Sequence, residues 1–337
     1  MESPRAAGRR ARRSARRALL YTAPALLAVV GATAAGTVYV KAQAHSGGGA
    51  VSSAAVPSPP SSPVAGTQEA AGSEEAAVEP VAEPTVDLDG LLADAMKSVR
   101  VTGDAEVSAG VLDLASGEHA VYGDGAFDTA SIVKVDILAA LLLRHQEAGT
   151  RLSARERSYA TAMIENSDNV SASALWDTIG RAEGLDAANE TFGLTGTEGG
   201  DGALWGLTQT TAADQLTLLK QVFGASSKLS EASRTYLRGL MGRIADGQDW
   251  GVSAAADGSG WALKNGWLPR STTGLWDVNS IGRVTVAGHD YLVAVLSKGN
   301  ATQARGITLV EAAARAAVSV FTGDGASSSA SASASTG

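Results

Sequence analysis

A serine and a lysine three residues apart stand at the start of an apolar segment, "FDTASIVKVDILAALLLRHQEAG", at residues 127–149. Between residues 132 and 143 the only charged side chains are Lys134 and Asp136, and this pattern predicts a helix buried on every side. Residues three apart share a helix face, so Ser131 and Lys134 should face one cavity. Burial lowers the pKa of a lysine, and a neutral amine can remove a proton from a serine hydroxyl. The pair therefore predicts a nucleophile and its base.

The same pair has other interpretations. Serine and lysine also occur three apart by chance, and Lys134 can reach the surface or pair with Asp136. Asp128 or Thr129 is predicted to cap the helix, which would put Ser131 in its first turn. Free N–H groups in that turn favour developing negative charge.

Two further polar groups interrupt apolar surroundings later in the chain. Ser-Asp-Asn at residues 167–169 stands at a predicted junction between two helices, where polar residues usually serve as caps. Lys-Asn-Gly at residues 264–266 lies inside an apolar strand pattern. The alternative there is an edge-strand lysine followed by a bulge at the glycine.

In chain order, Ser-x-x-Lys at 131–134, Ser-Asp-Asn at 167–169 and Lys-Asn-Gly at 264–266 resemble the motifs of the penicillin-recognising serine hydrolases. This family includes the class A β-lactamases and related D,D-peptidases. The resemblance covers about residues 90–321. It includes the strand–helix order, the threonine pair at 210–211 that opens a mid-domain helix, and "WDVNSIG" on the strand after Lys-Asn-Gly. Three motifs in one order are far more specific than any one of them.

The resemblance implies a role for each residue of the first two motifs. Ser131 would be the nucleophile, and Lys134 would be its base or proton relay. Ser167 would carry the proton to the departing nitrogen. Asp168 would brace the loop, while Asn169 would hold the side-chain amide of the substrate.

The resemblance also assigns substrate-binding roles on the late strand. Lys264 would attract the substrate carboxylate, and Gly266 completes the motif. Asn265 replaces the threonine or serine that usually follows this lysine; its amide can donate a hydrogen bond, but it is bulkier. The backbone N–H groups of Ser131 and Trp267 would form the oxyanion hole.

The loop "TGTEGGDGALWGLT" at residues 195–208 departs from the resembled family. Class A β-lactamases carry an omega-loop glutamate, followed four residues later by asparagine, and this glutamate activates the water that frees the enzyme. Here Gly202 stands four residues after Glu198. Glu198 is the candidate deacylation base, but it lacks that partner. The sequence therefore predicts an acyl-enzyme that hydrolyses slowly.

The order of the predicted elements indicates an α/β domain. A helix at 88–99 and a hairpin at 105–123 precede a helical region, and three strands and a last helix follow it. Ser153 is predicted to cap one helix, and Thr210 or Thr211 another. This order predicts a β-lactamase-like fold, with a mostly antiparallel sheet flanked by N- and C-terminal helices and an inserted all-helical lobe.

Composition divides the chain into four segments. Residues 1–44 combine a basic tail with 23 uncharged residues and predict an export signal or a membrane anchor. Residues 45–85 hold six of the nine prolines and predict a disordered linker; residues 323–337 predict a disordered Ser/Ala tail. Residues 86–322 form the predicted hydrolase domain. Because basic segments stay on the cytoplasmic side, we expect this domain outside the cytoplasm, secreted or tethered to the cytoplasmic membrane.

Residue counts exclude several other chemistries. The chain has no cysteine, and residues 42–337 carry 34 acidic side chains against 19 basic ones, which argues against a nucleic-acid partner. It has four histidines, with neither a Gly-x-Ser-x-Gly nor a His-Glu-x-x-His motif. A Ser-His-Asp hydrolase and a zinc site are therefore disfavoured, and no cofactor or metal is predicted.

The sequence predicts an exported serine hydrolase of the class A β-lactamase type. It would form an acyl-enzyme with β-lactams or related carboxylate-bearing amides. One alternative is a D,D-peptidase-like enzyme that acts on cell-wall stem peptides. Another is a penicillin- or peptidoglycan-binding domain without useful turnover. The presence of both motif serines and both motif lysines favours an active enzyme. The missing omega-loop glutamate favours a binding domain without turnover.

Overall fold

The computed structural model describes residues 86–323, and a five-stranded antiparallel sheet forms the centre of that region. The strands are, in chain order, β1 (Glu106–Asp113), β2 (His119–Tyr122), β3 (Phe127–Asp128), β4 (Gln209–Thr210), β5 (Trp261–Pro269), β6 (Trp276–Val286) and β7 (His289–Asn300). The sheet has the order β2-β1-β7-β6-β5, and all of its pairs are antiparallel. Strand β5 is therefore an edge strand, and β3 and β4 pair separately.

Eight α-helices surround this sheet within the described region. They are α1 (Leu88–Met96), α2 (Val133–Glu147), α3 (Ala154–Glu165), α4 (Asn169–Ile179), α5 (Arg181–Phe192), α6 (Ala212–Phe223), α7 (Glu231–Met241) and α8 (Gln303–Thr322). Helices α2 to α7 lie between the second and fifth strands in sequence, as the predicted helical lobe requires. The α/β fold with an antiparallel sheet and terminal helices is confirmed.

The two faces of the sheet pack against different helices because successive side chains of a strand point in opposite directions. On β7, Leu292, Ala294 and Leu296 belong to the apolar core of the helical lobe. The alternating Val293 and Val295 belong to a second core with α1 and α8. Strand β7 contributes side chains to both cores. The helical lobe and the terminal helices are therefore fixed to the same sheet.

Most local signals in the sequence are confirmed. Ser153 caps α3 in a full capping box with Glu156, and Thr211 caps α6. The β5–β6 pairing continues through Gly266 without a shift, so the alternative of a bulge at this glycine is wrong. The one irregularity between β6 and its neighbours lies near Trp276.

The predictions for residues 1–44, 45–85 and most of the tail at 323–337 lie outside the described residues. The folded elements run from Leu88 to Thr322. None of the helices in residues 86–323 is long and apolar enough to cross a membrane.

Candidate active site

Ser131 is the middle residue of a three-residue 3₁₀ turn that leads into α2. The preceding residue, Ala130, has φ +47°, a left-handed conformation that is uncommon for residues other than glycine. Asn279 on β6 holds this segment, because its Nδ2 donates to the carbonyls of Asp128 and Thr129 at 2.8 and 3.0 Å. The sheet therefore fixes the position of the turn that carries Ser131.

The predicted side-chain cap of this helix is wrong. Thr129 occupies the N-cap position of the turn, but neither its side chain nor that of Asp128 makes a capping hydrogen bond, and α2 begins only at Val133. The carboxylate of Asp128 instead pairs with Arg270 and accepts from Gln209. The apolar segment is buried from residue 132 to residue 143, as predicted.

Ser131 is half-buried and lines a cavity of about 610 Å³. The cavity lies between the turn, the start of α4, the loop before β4 and the end of β5. Its lining residues are Ala130, Ser131, Asn169, Ser173, Ala203, Leu204, Trp205, Gly206, Leu207, Trp267, Leu268, Pro269, Arg270, Ser271 and Thr272. In the described part of the chain, no aspartate or glutamate lines this cavity.

Lys134 is fully buried, and its Nζ contacts the Ser-Asp-Asn segment. Nζ donates to the carbonyl of Ser167 at 2.6 Å and to Oδ1 of Asn169 at 2.8 Å, and it lies 3.1 Å from Oγ of Ser167. Burial lowers the pKa of Lys134 to about 7, although the charge of Asp168 opposes this shift. A neutral amine with two donated bonds keeps one lone pair, which can accept a proton. Lys134 can therefore serve as a base at neutral pH.

The sequence predicts that Ser131 and Lys134 face one cavity, but only Ser131 lines it. Lys134 is not among the lining residues, and within residues 86–323 no hydrogen bond joins its Nζ to Ser131. Trp205 lines the cavity, and the centre of its ring lies 4.9 Å from Nζ of Lys134.

Ser167 lies between two lysines. Its Oγ is 3.1 Å from Nζ of Lys134 and 3.1 Å from Nζ of Lys264, which also donates to the carbonyl of Asn265 at 2.8 Å. Ser167 has φ +56°, so its backbone adopts the left-handed conformation, as that of Ala130 next to Ser131 also does. Burial, and then the charge of Lys134, lower the pKa of Lys264 well below its ordinary value. This arrangement can pass a proton through the Ser167 hydroxyl.

The other two members of the Ser-Asp-Asn motif occupy the start of α4. Asp168 is the N-cap, and its carboxylate accepts from the backbone N–H of Ser171 at 2.7 Å. Hydrogen bonds from the side chain and the backbone of Ser171 lower the pKa of the Asp168 carboxyl. Both the cap interpretation and the bracing role fit this placement. Asn169 lines the cavity, and its amide oxygen is held by Lys134.

Strand β5 passes directly beside the turn of Ser131. A Cβ atom added at Gly266 would lie 2.7 Å from the backbone nitrogen of Ser131 and 2.8 Å from that of Ile132. Only glycine allows this approach. Trp267 follows on the cavity wall and packs against Trp250, with ring centres 5.9 Å apart. As an edge strand, β5 leaves one side of its backbone free to bind a substrate, which suits the predicted oxyanion hole.

The prediction that Asn265 contacts a substrate does not agree with its position. The side chain is buried, and its Nδ2 donates to the carbonyls of Gln248 and Trp250 at 2.7 and 2.9 Å. Both donors of the amide are therefore engaged by the segment before β5. Asn265 fixes that segment and has no donor left for a carboxylate.

The prediction of Glu198 as deacylation base also disagrees with the structure. The backbone of Glu198 pairs with that of Gln209 in an isolated bridge, its side chain is exposed, and it does not line the cavity. The carbonyl of Gly202 in the same loop is bound by the buried Trp176. The loop is thus tied to the helical lobe, and its two carboxylates, Glu198 and Asp201, are exposed outside the cavity lining.

Three residues of the site were missed by reasoning from the sequence: Trp205, Asn279 and Arg270. Asn279 lies in the quoted segment "WDVNSIG", where a polar residue inside an apolar strand was the available signal. Trp205 was the one aromatic residue in a glycine-rich loop. Arg270 follows the end of β5 and gave no signal, since its partner Asp128 is 142 residues away.

The fold and the arrangement of the three motifs are those of a β-lactamase-like serine hydrolase family. A family model described as the Beta-lactamase enzyme family matches residues 142–321, which is more than half of the chain. The chain belongs to this family. The matched segment contains Ser167 and Lys264 and begins after Ser131 and Lys134. A comparison with curated proteins found no match.

Solved structures share the fold at low identity. PBP-A is 22% identical with a TM-score of 0.59, and the match covers 69% of this chain and 96% of that one. A mutant of the class A β-lactamase of the last common ancestor of Gram-negative bacteria is 22% identical with a TM-score of 0.57, covering 70% and 99%. A β-lactamase from Xanthomonas campestris pv. campestris is 21% identical with a TM-score of 0.54, covering 68% and 95%.

Proposed function

We propose that this protein is acylated on Ser131 by β-lactams, or by related amides that bear a carboxylate, and that it releases the acyl group slowly. The observation that supports this most is the Ser167 hydroxyl held at 3.1 Å from both buried lysines, next to the turn of Ser131. Such a group has little structural value, because two buried amines sharing one hydroxyl are costly to maintain.

The acylation step uses Ser131 and Trp267 in the cavity wall together with the buried pair Lys134 and Ser167. Oγ of Ser131 attacks the carbonyl carbon while its proton passes to neutral Lys134. The C–N bond then breaks, and the departing nitrogen takes a proton through the hydroxyl of Ser167. The developing oxyanion is bound by the backbone N–H groups of Ser131 and Trp267. The product is an ester of Ser131.

The charges around the cavity favour a substrate with a carboxylate. Nζ of Lys264 contacts Oγ of Ser167, and Arg270 lines the cavity. No acidic side chain of the described region lines the cavity. An incoming carboxylate would favour the charged form of Lys264, which burial disfavours in the empty site. A variant of PBP-A has been solved as an acyl-enzyme complex with penicillin G, which supports a β-lactam as the acylating substrate here.

Slow release is expected because, within residues 86–323, no carboxylate lines the cavity of Ser131. An efficient β-lactamase needs a base that activates water, and general-base assistance commonly contributes about a hundredfold to ten-thousandfold. This favours a penicillin-binding enzyme with low turnover over an efficient β-lactamase. A D,D-peptidase-like activity on cell-wall stem peptides would use the same acylation step.

The proposed location is outside the cytoplasm, with the domain secreted or tethered by residues 1–44. It rests on the basic and then apolar pattern of that segment. A cell-wall amide or an antibiotic would be accessible there.

A fluorescent penicillin tests the proposal. The full-length protein should be labelled, and peptide mass spectrometry should place the adduct on Ser131. Ser131→Ala should abolish labelling while circular dichroism shows an unchanged fold. Ser173→Ala, which alters another cavity hydroxyl, is the matched control and should still be labelled. An alanine variant at position 131 that labels as well as the parent contradicts the proposal.

A further inference from the structure

The indole of Trp205 lies beside the buried amine of Lys134 on the wall of the cavity. Lys134 is fully buried, whereas Trp205 is half-buried and lines the cavity together with Ser131. The ring centre lies 4.9 Å from Nζ of Lys134. Its Nε1 donates to Oγ of Ser173 on α4 at 3.1 Å, which fixes the orientation of the ring. One side of the Lys134 amine is therefore covered by the oriented face of an indole, while Asn169 binds the amine on another side.

The loop that carries Trp205 is held in place at several points. The N–H of Gly199 is bound by Asp186 at 2.8 Å, and that of Gly200 by Thr208 at 3.1 Å. A Cβ at Gly200 would lie 2.2 Å from the carbonyl oxygen of Leu204. A side chain cannot be added there without moving the backbone. The loop thus presents Trp205 to the lysine as part of a fixed conformation.

Hydrolysis of an acyl-Ser131 ester needs a water with a polar partner. The water oxygen forms a bond to the carbonyl carbon, the bond to Oγ of Ser131 breaks, and Oγ takes back a proton. Lys134 is a buried base beside Trp205, but an aromatic face offers water no lone pair to receive its proton. The ring also favours a positive charge on the amine that it faces.

We propose that Trp205 is a positioning residue that excludes the hydrolytic water from Lys134 and thereby prolongs the acyl-enzyme. This inference rests on the proposed acylation of Ser131. It extends that function by assigning the long lifetime to a side chain that is present, in addition to the carboxylate that is missing.

The test follows the lifetime of the benzylpenicillin adduct by intact mass spectrometry of the full-length protein. Trp205→Ala should shorten the lifetime about tenfold or more, because it opens space for water beside a base. Trp205→Phe keeps a ring over the amine and should leave the lifetime within about threefold of the parent. Trp261→Phe, at the start of β5 and outside the cavity, is the matched control for loss of an indole.

A pH profile separates this role from a merely structural one. In Trp205→Ala, release should accelerate as pH rises, because only the neutral form of Lys134 can take a proton from the water. In the parent, release should stay slow over the same range. Trp205→Gln provides a second variant that retains volume but gives water a hydrogen-bonding partner, and it should also release faster.

The outcomes distinguish the two proposals. An unlabelled parent overturns acylation of Ser131, and with it the inference. If the parent is labelled and the adduct lifetimes of Trp205→Ala and Trp205→Gln equal that of the parent, only the inference about Trp205 is overturned. If Trp205→Ala does not fold, the lifetime in Trp205→Gln decides.

Discussion

Oγ of Ser167 and Nζ of Lys264 lie 3.1 Å apart, although 97 residues separate them in the chain. The first belongs to the segment before α4 in the helical lobe, and the second belongs to β5 at the edge of the sheet. The hydrogen bond therefore joins the two parts of the domain inside the site. Its geometry gives the Ser167 hydroxyl a position from which a proton can move towards a leaving group.

Replacing this hydroxyl should slow acylation. Ser167→Ala removes the proton carrier between the lysines, and we expect the acylation rate constant for benzylpenicillin to fall about a hundredfold or more. Stopped-flow or quenched labelling measures this rate. Ser171→Ala, in the first turn of α4 but outside the cavity lining, is the control and should retain the parent rate. Equal rates in Ser167→Ala and the parent would contradict the shuttle role.

Acylation should depend on the protonation of Lys134. Because burial lowers its pKa to about 7, the neutral amine becomes the main form above that pH, so the acylation rate should rise between about pH 6 and 8. Lys134→Arg keeps a positive charge that does not titrate in this range, and should lose both the rate and its pH dependence. A flat profile for the parent would show that another group is the base.

Glu198 should have no part in release of the acyl group. Its side chain is exposed and lies outside the cavity, so Glu198→Gln should leave the adduct lifetime within about twofold of the parent. The measurement is recovery of the unmodified mass after excess penicillin is removed. A much longer lifetime in the variant would restore Glu198 as the base.

The close approach of β5 to Ser131 should make Gly266 intolerant of a side chain. The added methyl of Gly266→Ala would meet backbone atoms that cannot rotate away, and overpacking of this kind typically costs about 1–3 kcal/mol. We expect both the free energy of unfolding and the acylation rate to fall. Gly239→Ala in α7 meets only the end of an arginine side chain and should be neutral or stabilising. Parent-like acylation in Gly266→Ala would contradict the proposed contact.

Asp136 on α2 should make stability depend on pH. Both of its carboxylate oxygens are buried without a hydrogen-bond partner, and burial raises its pKa to about 7 despite the opposing effect of the nearby Asn189. The folded state therefore holds a proton that the unfolded state loses above about pH 4. The contribution of Asp136 to stability is complete below that pH and is lost as pH rises through about 7. Urea unfolding measured from pH 4 to 8 should show this loss.

Asp136→Asn removes the titrating group and should reduce the pH dependence of the free energy of unfolding. Asp257→Asn, in a loop before β5, is the matched control for the loss of one acidic group. An equal slope in Asp136→Asn and the parent would assign the dependence to other groups.

The fold and most of the site were predictable because their signals are local or ordered along the chain. The period of two in β7, the capping box at Ser153 and the three motifs all appear in short stretches of sequence. The errors concern side chains whose partners are distant. Asp128 pairs with Arg270 instead of capping, and Asn265 binds the carbonyls of Gln248 and Trp250. No spacing rule indicates such pairings, since they depend on how the sheet and the lobe dock.

The contact between Asn279 and the turn of Ser131 has a consequence for folding. This side chain bonds the carbonyls of Asp128 and Thr129 through Nδ2, and its Oδ1 accepts from the N–H of Ser297 on β7. The turn of Ser131 is thus oriented only after β6 and β7, which follow it by about 150 residues in the chain, have joined the sheet. A partly folded or truncated intermediate would contain the serine but hold it in no fixed geometry. Covalent labelling of Ser131 would then report complete folding of the domain.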